Sequence, residues 1–595
     1  MQRGRFLKMR FRRRFKARQQ QAGGLGKQAE RSFERYVLKR LDRLPAVRRF
    51  VIGWMALLFV LLIGLVYQAF NLTHYYQKLL PVAGGSYREG ILGTFSTANP
   101  LYATSDVDAS VSKLLFASLF SHDSHNRLVG DLASRYDVNP TGTIYTVHLR
   151  PMLTWHDGQP LTSADVLFTY QAIQNSDAQS PLRSSWQGIT VTAPDPNTVI
   201  FSLPGPLASF PNTMTNGIVP AHLLARKAAT ELRTADFNTI NPVGSGPFTW
   251  RAIQVSGNDP SNAEEQLDLL PFLKYHSGRP QLDHFIVHAY ADQQRLIKDF
   301  RGGALTGLSG LTNTPTSIAK LNDLTTHNLL LTAGTYVFFK ASQPALANVK
   351  VRQALVQAAD QAAIIRSLPY QTRPVREPLL QGQLAYDSSL TQAKFDLVAA
   401  KAALDADGWL PTATGVRAKN KLPLIFSLAA TDIPENHRVT SQLQQQWKQL
   451  GVQINVRLQS VQNFQNTLAY HDYDMVLYGL SIGTDPDVFV YWDSSQADVR
   501  SSNRLNLSEY KNAAADAALE SGRTRLDPAL RTLKYRPFLQ AWQQDAPALG
   551  LYQPRVLYLT HGTINGLNDQ TVNNPNDRFN NVQNWMIREA KVTNS

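Results

Sequence analysis

The sequence predicts a mixed α/β body carried behind one membrane-spanning helix, and three observations lead there. From about residue 86 to 595, short alternating runs take turns with amphipathic helical stretches, without internal repeats or low-complexity segments. Residues 50–67, FVIGWMALLFVLLIGLVY, hold neither a charge nor an amide. The formal net charge of +15 is concentrated at one end: residues 1–50 hold 17 Lys/Arg against Glu30, Glu34 and Asp42, leaving the other 545 residues within one charge of neutral. That split argues against a nucleic-acid footprint over the whole protein, and no nucleic-acid partner is expected. A chain of 595 residues has room for several domains or one multi-lobed unit. It has no cysteine, which excludes disulfides, thiol catalysis, cysteine-held zinc or iron–sulfur groups and a cysteine-linked lipid anchor.

Extended past Gln68 to Phe70, the apolar run reaches 21 residues. As a helix that is ~30 Å, the thickness of a bilayer core. A cleaved signal peptide is the rival, but its apolar region is about 7–15 residues long behind a short basic start. Here the start is 49 residues long, and Ala83, Gly84 and Gly85 make a weak cleavage signal. Arg48 and Arg49 abut the run, while residues 71–90 hold only Lys78 and Arg88 against Glu89. The positive-inside rule therefore leaves the basic tail (1–49) in the cytoplasm, spans with 50–70, and exports the linker (71–85) and the body. The expected localisation is the cell membrane, single-pass, with an extracytoplasmic C-terminal body. Within the tail, RGRFLKMRFRRRFKAR (3–18) sets Phe6, Leu7, Met9, Phe11 and Phe15 among arginines, a pattern suited to anionic lipid headgroups.

In the body, residues 144–149 alternate as a strand, followed by the loop PMLTWHDGQP. Thr162 with Asp165 three residues later reads as a capping box, and Val166, Leu167, Phe168 and Tyr170 give the helix behind it an apolar side. Trp155 and His156 in the loop read as packing residues. Residues 282–290 (LDHFIVHAY) form a strand candidate in which His284 and His288 share a face. No third ligand stands at a suitable spacing, so no metal is expected. Residues 348–365 place Val351, Ala354, Leu355, Ala358 and Ala362 on one helical stripe. Residues 437–450 form a second helix with Val439, Leu443, Trp447 and Leu450 at spacings of three and four. Gly451 falls just past its end, and Val452, Ile454, Val456 and Leu458 alternate as a strand.

One catalytic pattern matches by its letters. Gly479-Leu480-Ser481-Ile482-Gly483 is a G-x-S-x-G after a strand-like DMVLY, and Asp545 and His561 follow in the order of a hydrolase triad. A nucleophile elbow needs a helix directly behind the serine. Here GTDPDVFVYW follows, with Pro486 between Asp485 and Asp487 in a turn-like setting. No P-loop, G-x-G-x-x-G or H-E-x-x-H is present, so neither an enzyme nor a cofactor is expected.

Five stretches taken together carry a family resemblance: NPLYATSDVDASVSKLLFASLF (99–120), YTVHLRPMLTWHDGQPLTSADVLFTY (145–170), NPVGSGPF (241–248), NVKVRQALVQAADQAAI (348–364) and QLQQQWKQLGVQINVRL (442–458). In this order, over roughly 86–590, the chain resembles the family 5 extracytoplasmic solute-binding proteins, the dipeptide-, oligopeptide- and nickel-binding components of ABC importers. The resemblance implies a two-lobed clamp of the periplasmic-binding-protein type (type II, cluster C) with an extra subdomain. Its first lobe would comprise 86–120, 239–333 and 556–595, the extra subdomain 121–238, and the second lobe 334–555. The implied partners are a peptide or peptide-like ligand, the permease subunits of a transporter, and the membrane through the N-terminal helix.

The family's peptide binders offer a strand after a glycine to the ligand backbone. The matching segment here is 478–492, which makes Gly479, Leu480, Ser481, Ile482, Asp485 and Trp492 the candidates in the second lobe. The acidic residue that holds a peptide amine in several members should precede the acidic-Pro pair by two or three places. Before Asp485-Pro486 stand Ile482, Gly483 and Thr484, so that clamp is missing, and the usual aromatic after the glycine is Leu480. In the first lobe the loop NPLYATSDVD offers Tyr102 and Asp108. Two other readings stand beside this one: a receptor of the same fold that signals through the tail, and the hydrolase.

Overall fold

The computed structural model describes residues 44–257, 264–498 and 504–593, so most of the basic tail and its lipid-headgroup reading lie outside the described residues. The chain divides into two units, residues 1–80 with 589–595, and residues 81–588.

The first unit contains the helix Leu44–Tyr76. Its stretch Arg48–Asn71 has a mean hydropathy of 2.6, and every residue in it is exposed. Phe50, Trp54, Phe59 and Leu65 point outward on different sides of it, each more than half exposed. A helix apolar on every face and of this length is long and apolar enough to cross a membrane. The helix continues to Tyr76 and a strand, Gln77–Val82, follows, so the stretch expected as a linker is largely regular structure.

The second unit is built on three main sheets. A seven-stranded mixed sheet runs in the order Leu324–Leu330, Arg555–His561, Gly307–Ser309, Ser86–Leu92, His284–Tyr290, Glu264–Pro271, Phe248–Ser256. A four-stranded antiparallel sheet, Ala133–Val138, Ile144–Leu149, Thr198–Ser202, Thr190–Asp195, is inserted between its strands in sequence. Tyr145, Val147 and Leu149 face inward on alternate positions, as the sequence pattern requires, and join the same hydrophobic core as Tyr87 and Phe285 of the larger sheet. The third sheet has five strands: Gln453–Gln459, Ile425–Thr431, Met475–Ser481, Ala333–Phe339, Ala548–Tyr552. Its central strands are buried on both faces. Val337, Phe339, Met475 and Leu477 enter one core, and Tyr336, Phe338, Val476 and Leu480 enter another. The chain passes between the seven- and five-stranded sheets twice, between Leu330 and Ala333 and between Tyr552 and Arg555.

Local signals set most elements. The helix Ser163–Gln174 starts at Thr162, whose amide donates to the Asp165 carboxylate at 2.8 Å. The helix Pro434–Leu450 stops at Gly451, which has φ 89°, and the strand Gln453–Gln459 begins at once. In NPVGSGPF the glycines allow close approach: a Cβ on Gly244 would stand 1.8 Å from the Leu115 carbonyl oxygen. His156 pins that loop, accepting from the Gly244 amide at 3.1 Å and lying 3.1 Å from the Gly246 carbonyl through its other ring nitrogen. Trp155 beside it is fully buried, so both residues pack as the sequence suggested.

One expectation is corrected. Residues 348–365 are two helices, Val349–Gln357 and Gln361–Ser367. Asp360 caps the second one by accepting from the Ala363 amide at 2.9 Å, so the continuous apolar stripe is interrupted by a local hydrogen bond that competes with helix continuation.

Candidate functional site

The strand Met475–Ser481 pairs along its whole length with Ala333–Phe339, but with Ile425–Thr431 only at Met475 and Val476. The amide of Ile482 donates to the Thr332 carbonyl at 2.9 Å, and the Lys340 amide donates to the Asp474 carbonyl at 3.0 Å. Ladder groups alternate along an antiparallel strand, so those of Gly479 and Ser481 point away from Ala333–Phe339, where no strand meets them. The Ser481 carbonyl accepts from the Tyr491 hydroxyl at 2.6 Å. The Gly479 amide and carbonyl and the Ser481 amide take no partner among the described residues. Gly479 is exposed, and a Cβ built on it would meet nothing within 4 Å. Three backbone groups and open space above them are what an extended backbone needs to add itself to the sheet.

Leu480 and Ile482 are buried on the core side. They hold the edge in place through packing, and their side chains do not present themselves to a ligand. Trp492, expected as a contact, is fully buried against Phe338 and Trp542 at ring distances of 5.6 and 5.8 Å. The alternation of the preceding strand cannot orient it, because the short helix Phe489–Trp492 turns it inward.

Asp485, which as a sequence feature reads as a turn cap, does accept from the Asp487 amide at 3.0 Å. Its main partner is Arg531, which donates to both carboxylate oxygens at 2.6 and 2.7 Å. The two side chains are only 14% and 6% exposed. Asp485→Asn is therefore expected to destabilise the body by about 3 kcal/mol, because it leaves the Arg531 guanidinium buried without its counter-charge. Thermal unfolding of the variant in the absence of ligand reads this out, and an unchanged midpoint would refute it.

In the loop 99–108, the Asp108 carboxylate accepts from the Ser96 amide, the Ser96 hydroxyl and the Thr97 amide at 2.8, 2.6 and 3.0 Å, and is 2% exposed. The donors lie 11 and 12 residues before it in the chain. Tyr102 is buried with a hydroxyl that takes no partner among the described residues, and the Arg233 guanidinium lies 5.7 Å from its ring centre. Burial pushes the phenol pKa up, and Arg233 opposes this.

The triad does not assemble. Ser481 ends a strand with no helix behind it. His561 lies 2.9 Å from Asp323 and 2.7 Å from the Phe300 carbonyl, and Asp545 accepts from Tyr510 and Asn512, each at 2.8 Å. His284 and His288 do share a face, but each meets a carboxylate on the neighbouring strand, Asp268 at 3.1 Å and Glu264 at 2.8 Å. No cluster of three metal-ligating side chains occurs among the described residues. Three cavities, of about 340, 350 and 640 Å³, lie elsewhere, and none is lined by residues 479–482. Tyr491 and Arg531 were missed by sequence reasoning, since nothing local marks a residue 10 or 46 positions from its partner.

The profile described as bacterial extracellular solute-binding proteins, family 5 Middle, matches residues 127–501. The oligopeptide-binding protein AppA of Bacillus subtilis (strain 168) is 25% identical over 492 residues, covering 80% of this chain and 87% of that protein. The structure of AppA from Bacillus subtilis in complex with a nonapeptide superposes with a TM-score of 0.66 at 22% identity, covering 86% of this chain and all of that one. The ABC transporter substrate-binding protein CtaP from Listeria monocytogenes superposes with a TM-score of 0.72 at 24% identity, covering 85% and 99%.

Proposed function

Since this chain belongs to the bacterial extracellular solute-binding proteins of family 5, substrate-binding components of peptide-type ABC transporters, we propose that it captures an extended, peptide-like solute by strand addition at Gly479 and Ser481 and passes it to a permease while tethered by its own N-terminal helix. The observation that carries this reading is the sheet edge at 479–481, with unpaired backbone groups under open space. Peptide capture by AppA, of the same family and similar over 80% of this chain, supports the ligand class. The paired crossings at 330–333 and 552–555 support lobes divided near 334 and 555, with hinge motion at those crossings. Tyr102, whose buried hydroxyl has no partner among the described residues, is the proposed contact from the first lobe, and Leu480, Ile482 and Trp492 pack behind the edge.

Gly479→Trp tests the site. The indole fills the space over the edge while the added Cβ clashes with nothing, so the fold is expected to be retained and affinity for co-purified ligand to fall at least tenfold. Calorimetry on the exported body measures this, and unchanged affinity would move the site elsewhere.

The tether has its own test. An uncleaved span with the arginine-rich end inside predicts that protease added to intact cells, stripped of any outer barrier, degrades the body and leaves a membrane-bound N-terminal fragment. Full protection of the body would reverse the orientation.

A further inference from the structure

The free edge at 479–481 is short and ends in a wall. The Ser481 carbonyl already accepts from the Tyr491 hydroxyl at 2.6 Å, so the Ser481 amide is the last ladder group on this edge without a partner among the described residues. Directly after it, the Ile482 and Gly483 amides both donate to the Thr332 carbonyl at 2.9 and 3.0 Å. The Gly483 carbonyl accepts from Gln383 at 2.6 Å, and the Thr484 hydroxyl donates to Asn212 at 2.8 Å.

The two acids of this wall are spent. Asp485 is held by both guanidinium nitrogens of Arg531, and Asp487 by Arg523 at 3.2 Å. The wall is also pinned from the four-stranded sheet's side of the molecule. There the Ser209 hydroxyl donates to Asp487 at 3.0 Å and the Ala208 amide donates to the Arg523 carbonyl at 2.9 Å. Neither carboxylate can swing toward a ligand without breaking an ion pair.

Resting on the reading of 479–481 as the ligand edge, we propose that the ligand's end beside Ser481 carries no charge: the protein selects peptide-like molecules whose terminus there is blocked, as an amide or acyl group. A free ammonium or carboxylate at that position would lose hydration against matched dipoles and neutralised acids, with no counter-charge to replace the water. An uncharged end loses far less. Gly483 marks where the missing charge would have to be placed. Its φ of 75° suits glycine and is tolerated by aspartate, and a Cβ there meets nothing within 4 Å.

The test is competitive capture by the full-length protein in detergent from an equimolar mixture of a peptide digest and the same digest acetylated at its amino ends and amidated at its carboxyl ends, with bound species counted by mass spectrometry. Blocked peptides are expected to be enriched at least tenfold. Gly483→Asp is expected to shift the bound population at least tenfold toward free amino ends. Equal recovery, or enrichment of free-ended peptides, overturns the proposal, as does an unshifted ratio in Gly483→Asp. Gly479→Trp separates the two levels. If it abolishes capture while free-ended peptides dominate, the edge reading holds and only the neutral wall fails. Recovery of neither kind by the unmodified protein sinks both.

Discussion

Arg578→Met is expected to cost about 3–5 kcal/mol of stability, the largest effect of any single substitution considered for this protein. Glu89 and Arg578 are 0% and 1% exposed in the centre of the seven-stranded sheet region. Arg578 donates to the same Glu89 oxygen through two nitrogens at 2.9 and 3.2 Å, and to Ser110 and Ser309 at 3.3 and 3.2 Å. Tyr558 donates to the other Glu89 oxygen at 2.7 Å, and the Phe579 ring lies 4.1 Å under the guanidinium. The pair therefore joins the first strand of the body to a segment almost 500 residues later. Removing the arginine leaves a carboxylate in the core with hydroxyl donors alone. The double variant Glu89→Leu with Arg578→Met is expected to recover much of the loss, since two apolar groups leave no ion unpaired. Denaturant unfolding of the three proteins measures both effects, and a loss under about 1 kcal/mol for Arg578→Met would mean that the charge is relieved by water.

The second large effect depends on pH. Glu377 is fully buried beside the five-stranded sheet, and burial pushes its pKa up to about 8, with the Asp387 charge acting in the same direction and a hydrogen bond from the Asp387 amide opposing both. Its second carboxyl oxygen has no partner among the described residues, as a protonated acid tolerates better than an anion does. The folded pKa is above the unfolded one. The native state therefore keeps a proton that the unfolded chain has released, and stability falls as pH rises from the unfolded value near 4.5 to about 8, then levels off. A shift of that size corresponds to a loss on the order of 5 kcal/mol. Glu377→Gln is expected to remove this slope and to be more stable than the parent at pH 9, with little difference at pH 4. Stability measured across that range decides it, and parallel pH profiles for the two proteins would show that Glu377 ionises without penalty.

Among the candidate site residues, legibility followed range. Gly479 and Ser481 could be named because residues 478–492 resemble the segment in which the family's peptide binders offer a strand after a glycine. Trp492 was named from that same segment and Asp108 from the first-lobe loop 99–108, yet both point into the protein, since position in a motif fixes the backbone's path and leaves each side chain's surroundings open. Asp485 shows the point most sharply. Its local role, capping the turn at Asp487, was readable, while its partner Arg531 lies 46 residues away on a different helix.

By itself the sequence determined what depends on neighbours along the chain. It set the apolar helix, the concentration of positive charge before it, the Thr162 and Gly451 helix ends, the alternating strand Ile144–Leu149 and the succession of strands and helices that makes the body α/β. These follow from periodicity, capping and steric preference over a few residues, which the chain carries wherever it folds. Only the tertiary structure decided which edge of Met475–Ser481 stays unpaired, which arginines neutralise Asp485 and Asp487, and that Glu89 meets Arg578 in the core. Those are contacts between segments tens to hundreds of residues apart, selected by the simultaneous burial of apolar faces and the matching of every charge buried with them.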